Sequence, residues 1–514
     1  MGRNLDIADL WGEGQNGLIV GALEAKYLGV RVGMVAVLRG PIESTLVDTA
    51  VFGEANLQFY GDDAEDAFGV DVSARADWDG DGIDDLAIGA RNANPLAKGG
   101  VYGFLVSSLA DGAYQAADAD VIVTGTGAAA RTGEMVVAAG DVDGDGLEDL
   151  LIGAPDRNLG GIKRGAAYLL TSVVSGEITA VATAEFNGTE NNAKFGHSAS
   201  STGDIDGDGH DDLLVAADIG GYAEEGVAYL LDGAMPWMLI GDAEDRSSAQ
   251  FSGSAAGNWM GVMSAHQVDH IGSSSADLVM GGTDTIGGYA MCIIDGDLLS
   301  GPVSCADAEI RFTGADDDYP RIMTHLDING DGFMELVYAD SWHGPSDTGR
   351  IFVFSGAELM EGEYDLLMDN DWRIDGRHAY DYVGSQLSGG DPNSDGYDDL
   401  FIGAYGDDHP EPKTGSIFIM NGAAESPPPV QTAQFDKDIQ IYGETINAQV
   451  GRWNAGGVGD IDGDGARDIV VSSPGTESIH VFYTASTLAG GSHETVDADL
   501  TIMGTAEASG FGIG

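Results

Sequence analysis

Asp77-Trp-Asp-Gly-Asp-Gly-Ile-Asp-Asp85 decides the reading of this chain, because the same nine-residue pattern returns at Asp141 to Asp149, Asp204 to Asp212 and Asp460 to Asp468. Each copy has Asp at positions 1, 3, 5 and 9 and Gly at 4 and 6. Carboxylates at alternate positions of a tight loop converge on one point, and glycine tolerates the positive φ that the curl demands. Two such charges about 4 Å apart repel by roughly 4 kcal/mol at an effective dielectric near 20. A hard divalent cation with oxygen ligands, calcium above all, relieves that repulsion. The expected ligands are Asp77, Asp79, Asp81 and Asp85 with the carbonyl of Ile83. The same positions give Asp141, Asp143, Asp145 and Asp149 with Leu147, and Asp204, Asp206, Asp208 and Asp212 with His210. In the last copy they are Asp460, Asp462, Asp464 and Asp468 with Ala466.

Two further copies keep oxygen donors throughout. One has Asp327, Asn329, Asp331 and Glu335 with the carbonyl of Phe333; the other has Asp391, Asn393, Asp395 and Asp399 with that of Tyr397. About six calcium sites are therefore expected, the two with Asn weaker. Asp9 to Gly17 and Asp269 to Asp277 keep only the outline of the loop and read as metal-free turns. A solvated acidic turn would use the same residue types, but six copies in phase argue against it. An EF-hand needs a bidentate Glu at position 12 and flanking helices. Here position 12 is Ile88, Ile152, Val215, Tyr338, Ile402 or Val471, each inside a β-branched or apolar run.

The eight loops begin at residues 9, 77, 141, 204, 269, 327, 391 and 460, a period of about 64 residues. Short strands at such a period predict an all-β fold, a β-propeller of four-stranded antiparallel blades. The units run approximately 1–66, 67–130, 131–193, 194–249, 250–316, 317–380, 381–447 and 448–514, within one domain. Joined end to end, the last and first loops would stand 63 residues apart, the normal spacing. That favours eight blades closed by the termini over seven blades plus one extra unit, or an excerpt of a longer array.

Ahead of most loops stands Phe68-Gly69, Phe195-Gly196, Val383-Gly384 or Val450-Gly451, and after them Ile88-Gly-Ala90, Ile152-Gly-Ala-Pro155 or Ile402-Gly-Ala404. With these pairs the chain resembles the FG-GAP repeat family, the repeats of the integrin α-subunit head, over essentially its whole length. The resemblance is weaker in the units near residues 1 and 250, where metal ligands are missing. It implies a calcium-binding, extracellular adhesion module whose ligand meets the face opposite the calcium loops. Blade number departs from the integrin pattern, which has seven.

The formal charge is −63 from 85 acidic and 22 basic residues. Six calcium ions would bring it only to −51, so metal binding does not absorb all the acidity. Such a surplus opposes binding to nucleic acid or anionic lipid and favours solubility, as in a salty environment. No apolar run reaches the length of a membrane span, so no membrane insertion is expected, and Met1-Gly-Arg-Asn-Leu-Asp6 has no signal-peptide pattern. Since such loops suit the calcium levels outside cells, a mature or excised segment of a secreted or cell-surface protein is expected, with further domains a possibility. Cys292 and Cys305, on the third and fourth strands expected for one blade, could form a disulfide or remain two thiols.

The loop between the second and third strands of each unit should open at the blade end opposite the acidic loop. Seven of the scarce cations fall there in the first three units: Lys26, Arg31, Arg91, Lys98, Arg157, Lys163 and Arg164. Variable loops on a rigid scaffold are the usual home of function. These cations either offset local acidity or bind an anionic partner, an acidic glycan or a carboxylate-bearing protein loop; Lys98, Arg157, Lys163 and Arg164 are the candidates. Trp342, His343, Tyr405 and His409 would add a stacking surface for sugar rings, unless they cap the packing. No nucleophile elbow, phosphate loop or zinc-spaced His/Cys cluster occurs, so no catalytic residue is assigned. The alternatives to a binding module are a calcium-dependent polysaccharide lyase, using a basic side chain beside a calcium-bound uronate, and a structural spacer in a larger surface protein.

Overall fold

The computed structural model describes residues 5–23, 25–39, 45–47, 55–93, 96–171, 176–179, 184–217, 227–233, 240–252, 277–283, 289–296, 301–303, 308–313, 322–408, 414–424, 430–433, 437–452, 455–483 and 490–503. Those residues are almost all β, arranged as eight small antiparallel sheets of propeller-blade topology, one for each repeat. The fold is thus an eight-bladed β-propeller, as the eight-unit spacing implied, and not seven blades with a spare. The chain falls into two compact units, Met1–Val37 with Ala55–Arg311, and Leu38–Glu54 with Phe312–Gly514.

In the first unit, blade 2 serves as the pattern: Phe68–Ala76, Asp85–Ala90, Gly100–Phe104 and Val121–Thr124 pair in that order, each antiparallel to the next. The acidic loop joins its first two strands, and the loop between the second and third lies at the other end of the sheet. The second strands of blades 2, 3 and 4 are Asp85–Ala90, Asp149–Ala154 and Asp212–Ala217, and all six residues of each are buried. That is why these runs are apolar throughout rather than alternating: both faces of the strand are covered. The core lies between successive sheets. Phe59 and Val35 of blade 1 pack with Leu86, Ile88 and Phe104 of blade 2, and Val101 and Val121 of blade 2 with Ile152 and Tyr168 of blade 3. Each such side chain contributes about 1.5–3 kcal/mol on burial.

The glycine of the Ile-Gly-Ala signature is fixed by backbone approach. A Cβ on Gly89 would stand 2.2 Å from the carbonyl oxygen of Gly133, in the turn that leads into the next blade. Gly153 meets the carbonyl of Gly196 in the same way.

The second unit repeats the design with second strands Glu335–Asp340, Asp399–Ala404 and Asp468–Ser473, again buried throughout. Its cores join Val337, Ile351 and Ile374 to Leu400, Ile402 and Phe418, then Ile417 and Ile441 to Ile469, Val471 and Phe482.

A fifth strand, not foreseen from the four-stranded pattern, recurs as the outermost strand of all eight sheets, including the one sheet with four described strands. It comes from the connection between the third and fourth strands of the following repeat and adds in parallel to the outer strand. Gly112–Gln115 pairs this way with Leu57–Tyr60, and Gly491–Glu494 with Ile439–Tyr442. Thr45–Val47, from the first repeat, pairs with Thr501–Met503 of the last. These edges are therefore covered rather than left open for pairing with other chains. Cys292 lies buried in Tyr289–Asp295 and is disulfide-bonded; Cys305 lies outside the described residues.

Candidate functional site: the acidic loops and the opposite blade ends

Each acidic loop is wound by its own carboxylates. In the loop of blade 2, Asp77 accepts the backbone N–H groups of Gly80, Asp81 and Gly82 at 2.8, 3.1 and 2.8 Å. Asp79 accepts that of Asp81 at 3.1 Å, and Asp81 that of Ile83 at 2.9 Å. Asp85, at the root of the second strand, accepts the N–H of Trp78 at 3.0 Å and, on its other oxygen, that of Val106 at 3.1 Å. The N–H bonds to positions 1, 3 and 5 recur in the other five loops. Asp141 and Asp143 hold Asp145, and Asp204 and Asp206 hold Asp208. Asp327 and Asn329 hold Asp331, Asp391 and Asn393 hold Asp395, and Asp460 and Asp462 hold Asp464. The N–H groups of Leu147, His210, Phe333, Tyr397 and Ala466 all donate to position 5.

This winding gathers oxygen atoms. Asp77, Asp79 and Asp85 each bring one within 4.8 Å of the others, as do Asp141, Asp143 and Asp149, and Asp204, Asp206 and Asp212. Asp206 and Asp208 also meet Asp232, a residue that the nine-residue pattern could not reveal. The position-9 side chains Asp85, Asp149, Asp212, Glu335, Asp399 and Asp468 are all buried. Burial pushes Asp85, Asp149, Asp212, Glu335 and Asp399 up to about 7, and neighbouring loop carboxylates add to the rise. Asp149 Oδ1 is buried without a hydrogen-bond partner among the described residues. A hard cation fits this set: all ligands are oxygen, one buried oxygen lacks a donor, and the carboxylates resist ionising together without a counter-charge.

The two Asn-containing loops differ. The Asn329 amide donates to Glu335 at 3.0 Å, and that of Asn393 to Asp399 at 3.2 Å. An internal donor thus takes over part of the work that a cation would do. At Asp9 the winding persists without the ligands: Asp9 accepts the N–H groups of Glu13 and Gly14 at 3.1 and 2.6 Å, while Trp11 and Gly17 stand where carboxylates would. The loop from Asp269 lies outside the described residues up to Asp277, which is buried.

At the opposite blade ends, ion pairs engage most of the expected cations. Arg31 meets Glu65 at 3.5 Å, Arg91 meets Glu134 at 3.0 Å, Arg157 approaches Glu185 at 3.9 Å, and Lys163 meets Asp156 at 3.4 Å. Lys98 and Arg164 form no ion pair among the described residues. Of the aromatic candidates, Trp342 is 52% exposed, whereas His343 turns inward, 3.6 Å from Asp340 and edge-on to Phe352. Tyr405 stacks on Tyr382 with centroids 4.7 Å apart and planes within 5°. His409 lies outside the described residues. The sequence reading missed Tyr380, Tyr382 and Arg452, which gather with Trp342 and Tyr405. Their signal was the pair of tyrosines just before Val383-Gly384.

Among the described residues no helix is long and apolar enough to cross a membrane. The FG-GAP repeat model matches residues 135–170, 195–231 and 383–420. Integrin alpha-5 of Xenopus laevis is 32% identical over 170 residues, covering 31% of this chain and 15% of that protein. Integrin alpha-V of Gallus gallus is 35% identical over 167 residues, covering 31% and 15%. Phosphatidylinositol-glycan-specific phospholipase D of Mus musculus is 30% identical over 160 residues, covering 30% and 18%. The matched segments thus span less than a fifth of each of these relatives.

Proposed function

The chain belongs to the integrin-α-like family of FG-GAP β-propellers, and from that premise we propose that it is a calcium-stabilised extracellular binding module of the adhesion type. Calcium is the cofactor of this reading, held in six loops by positions 1, 3, 5 and 9 and the carbonyl of position 7. The observation that carries it is the repeated convergence of loop carboxylates on a buried position 9, which is pushed up to about 7 in five loops. The ion neutralises each first hairpin and fixes its register. The blades then present the loops at their other ends in a set geometry to a protein loop or glycan, with no chemical step required of the module.

Integrin relatives support an adhesion role and a cell-surface setting, in which this segment would be one part of a longer chain. The test is a glycan and matrix-protein array probed in millimolar calcium and again in chelator. Calcium-dependent binding of an intact ligand is the expected result. Silence across the array with a calcium-dependent melting shift would leave a structural spacer, and an unsaturated product released from a uronate polymer would make the protein a lyase.

A further inference from the structure

In the second unit, the turn that leads into blade 7 carries Tyr380 and Tyr382, both at left-handed φ, +68° and +55°. The same two positions are left-handed in four other repeats, occupied by Glu65 and Ala67, Ala129 and Arg131, Asn192 and Lys194, and Asn447 and Gln449. The turn therefore needs the conformation, not the aromatic ring, and a bulky side chain is among the least favoured there. Tyr380 is also 55% exposed, so the core does not explain it.

The turn is anchored on both sides. Tyr380 and Tyr382 donate their backbone N–H groups to the carbonyls of Ser346 and Asp347 at 2.7 and 3.3 Å, and Gly406 donates to Asp381 at 3.1 Å. Tyr382 thus lies between Trp342, with ring centroids 6.3 Å apart, and Tyr405, at 4.7 Å; Tyr380 stands 6.5 Å away. The guanidinium of Arg452 sits over Tyr405, 5.4 Å from its centroid. The result is a fixed aromatic platform with two rings, Trp342 and Tyr380, more than half exposed.

We infer that this platform binds an uncharged glycan, a pyranose ring stacking its C–H face on Trp342 or Tyr380. The inference rests on the proposed binding role of these blade ends and names its ligand class. An anionic sugar is disfavoured because Asp347 lies close enough to act on Tyr382, and Asp381, between the two tyrosines, has Asp407 and Asp408 beside it. A cationic ligand is disfavoured at the rings because Asp381 and Asp407 are buried and each already holds a donor on one oxygen, and because an arginine covers one aromatic face. Asp381 accepts the N–H of His378 at 3.0 Å, with the imidazole 3.4 Å away, and Asp407 accepts the Ser416 hydroxyl and the Gln440 amide. Arg452 occupies the cation position over Tyr405. Exposed rings with the solvent-reaching carboxylates of Asp347 and Asp408 nearby suit a neutral polyol, which offers both a C–H face and hydroxyl donors.

The experiment is affinity electrophoresis of the whole chain, in calcium, through gels containing a mixed-linkage glucan, xyloglucan, galactomannan or polygalacturonate, with a fluorescent arginine-rich peptide titrated in parallel. Trp342→Ala and Tyr380→Ala are compared with the exposed control Val496→Ala, and each must keep the parent's calcium-dependent melting shift. Retardation by a neutral polysaccharide, weakened about tenfold in the first two variants and unchanged in the third, is the expected result. Retardation by polygalacturonate alone, or retardation that survives both variants, overturns the platform while leaving a binding module intact. Peptide binding lost in the same variants replaces the glycan with a cation. Failure of every probe here and on the wider array removes the binding role as well.

Discussion

Asp211 and Asp141, on the acidic loops of consecutive blades, clasp one another: the Asp211 carboxylate accepts the N–H of Asp141 at 2.9 Å, and Asp211 N–H donates to the Asp141 carbonyl at 3.0 Å. Asp398 and Asp327 repeat the clasp at 3.0 Å for both bonds. Position 8 is not an expected calcium ligand, yet it holds the first ligand of the preceding loop. Asp211→Ala should therefore weaken calcium binding by the Asp141 loop while leaving that loop's carboxylates intact. It should also cost about 1 kcal/mol for the lost bond. Calcium titration of this variant in a background where the Asp204 loop is disabled would isolate the effect, and an unchanged affinity would refute the clasp.

Position 7 makes a second link between loops. The His210 ring lies over Gly144, and a Cβ there would come within 2.4 Å of its Cε1; Gly146, two residues on, has nothing within 4 Å. Both glycines have positive φ, +73° and +89°, so alanine strains the backbone at either position by about 1–3 kcal/mol. Gly144→Ala should lower the melting temperature further than Gly146→Ala, and His210→Ala added to the first should recover the difference. Equal losses in the two single variants would show that the ring simply moves aside.

Removing ligands should matter only when the ion is there. Asp143→Ala with Asp145→Ala is expected to lower the melting temperature in calcium and to change little in chelator. If a site has a dissociation constant near 0.1 mM, roughly 10 mM calcium stabilises by about 2.7 kcal/mol, which sets the scale of the loss. A similar loss in both buffers would mean that the carboxylates act through the N–H bonds of the loop and not through a metal.

The pH response follows from position 9. Asp85, Asp149, Asp212, Glu335 and Asp399 are raised to about 7 in the folded, metal-free protein, above their ordinary values of 3.8 or 4.5. Groups raised in this way stabilise fully below the unfolded values, and that contribution is lost as pH rises through about 7. In chelator the melting temperature should therefore fall from pH 5 to pH 8. In calcium it should fall less, because the ion displaces the proton and binds more tightly as pH rises. Calorimetry near pH 6.5 in buffers of different ionisation enthalpy should register proton release on calcium binding. A melting temperature in chelator that rises over this range would contradict the assignment.

The acidic loops and blade count were legible because their constraints are local. Positive φ at Gly82 and alternate carboxylates at Asp77, Asp79 and Asp81 appear as a fixed string, and the buried second strand follows at once as Asp85-Leu-Ala-Ile-Gly-Ala90. The fifth strand was hidden because Gly112–Gln115 is short and half exposed, with its partner strand in the preceding repeat. The basic sector looked like a free surface because Arg157 and Glu185 stand 28 residues apart and meet only through the pairing of strands. Tyr382 was overlooked for the same reason: its ring partners Trp342 and Tyr405 belong to two different blades.

Asn329 offers the sharpest separation of fold from metal. Its side-chain oxygen accepts the N–H of Asp331 at 2.8 Å while its amide donates to Glu335 at 3.0 Å, so the loop of blade 6 carries three carboxylates and an internal donor. Asn329→Asp keeps the first bond, loses the second and adds a fourth carboxylate beside a buried Glu335. In chelator the variant should be less stable, since a charge-assisted hydrogen bond becomes a like-charge contact. In calcium the order should reverse, because an additional anionic oxygen strengthens a hard-cation site. Melting curves of parent and variant across a calcium titration should therefore cross. Curves that stay parallel, with the variant lower throughout, would mean that this loop is held by its asparagine and takes no ion.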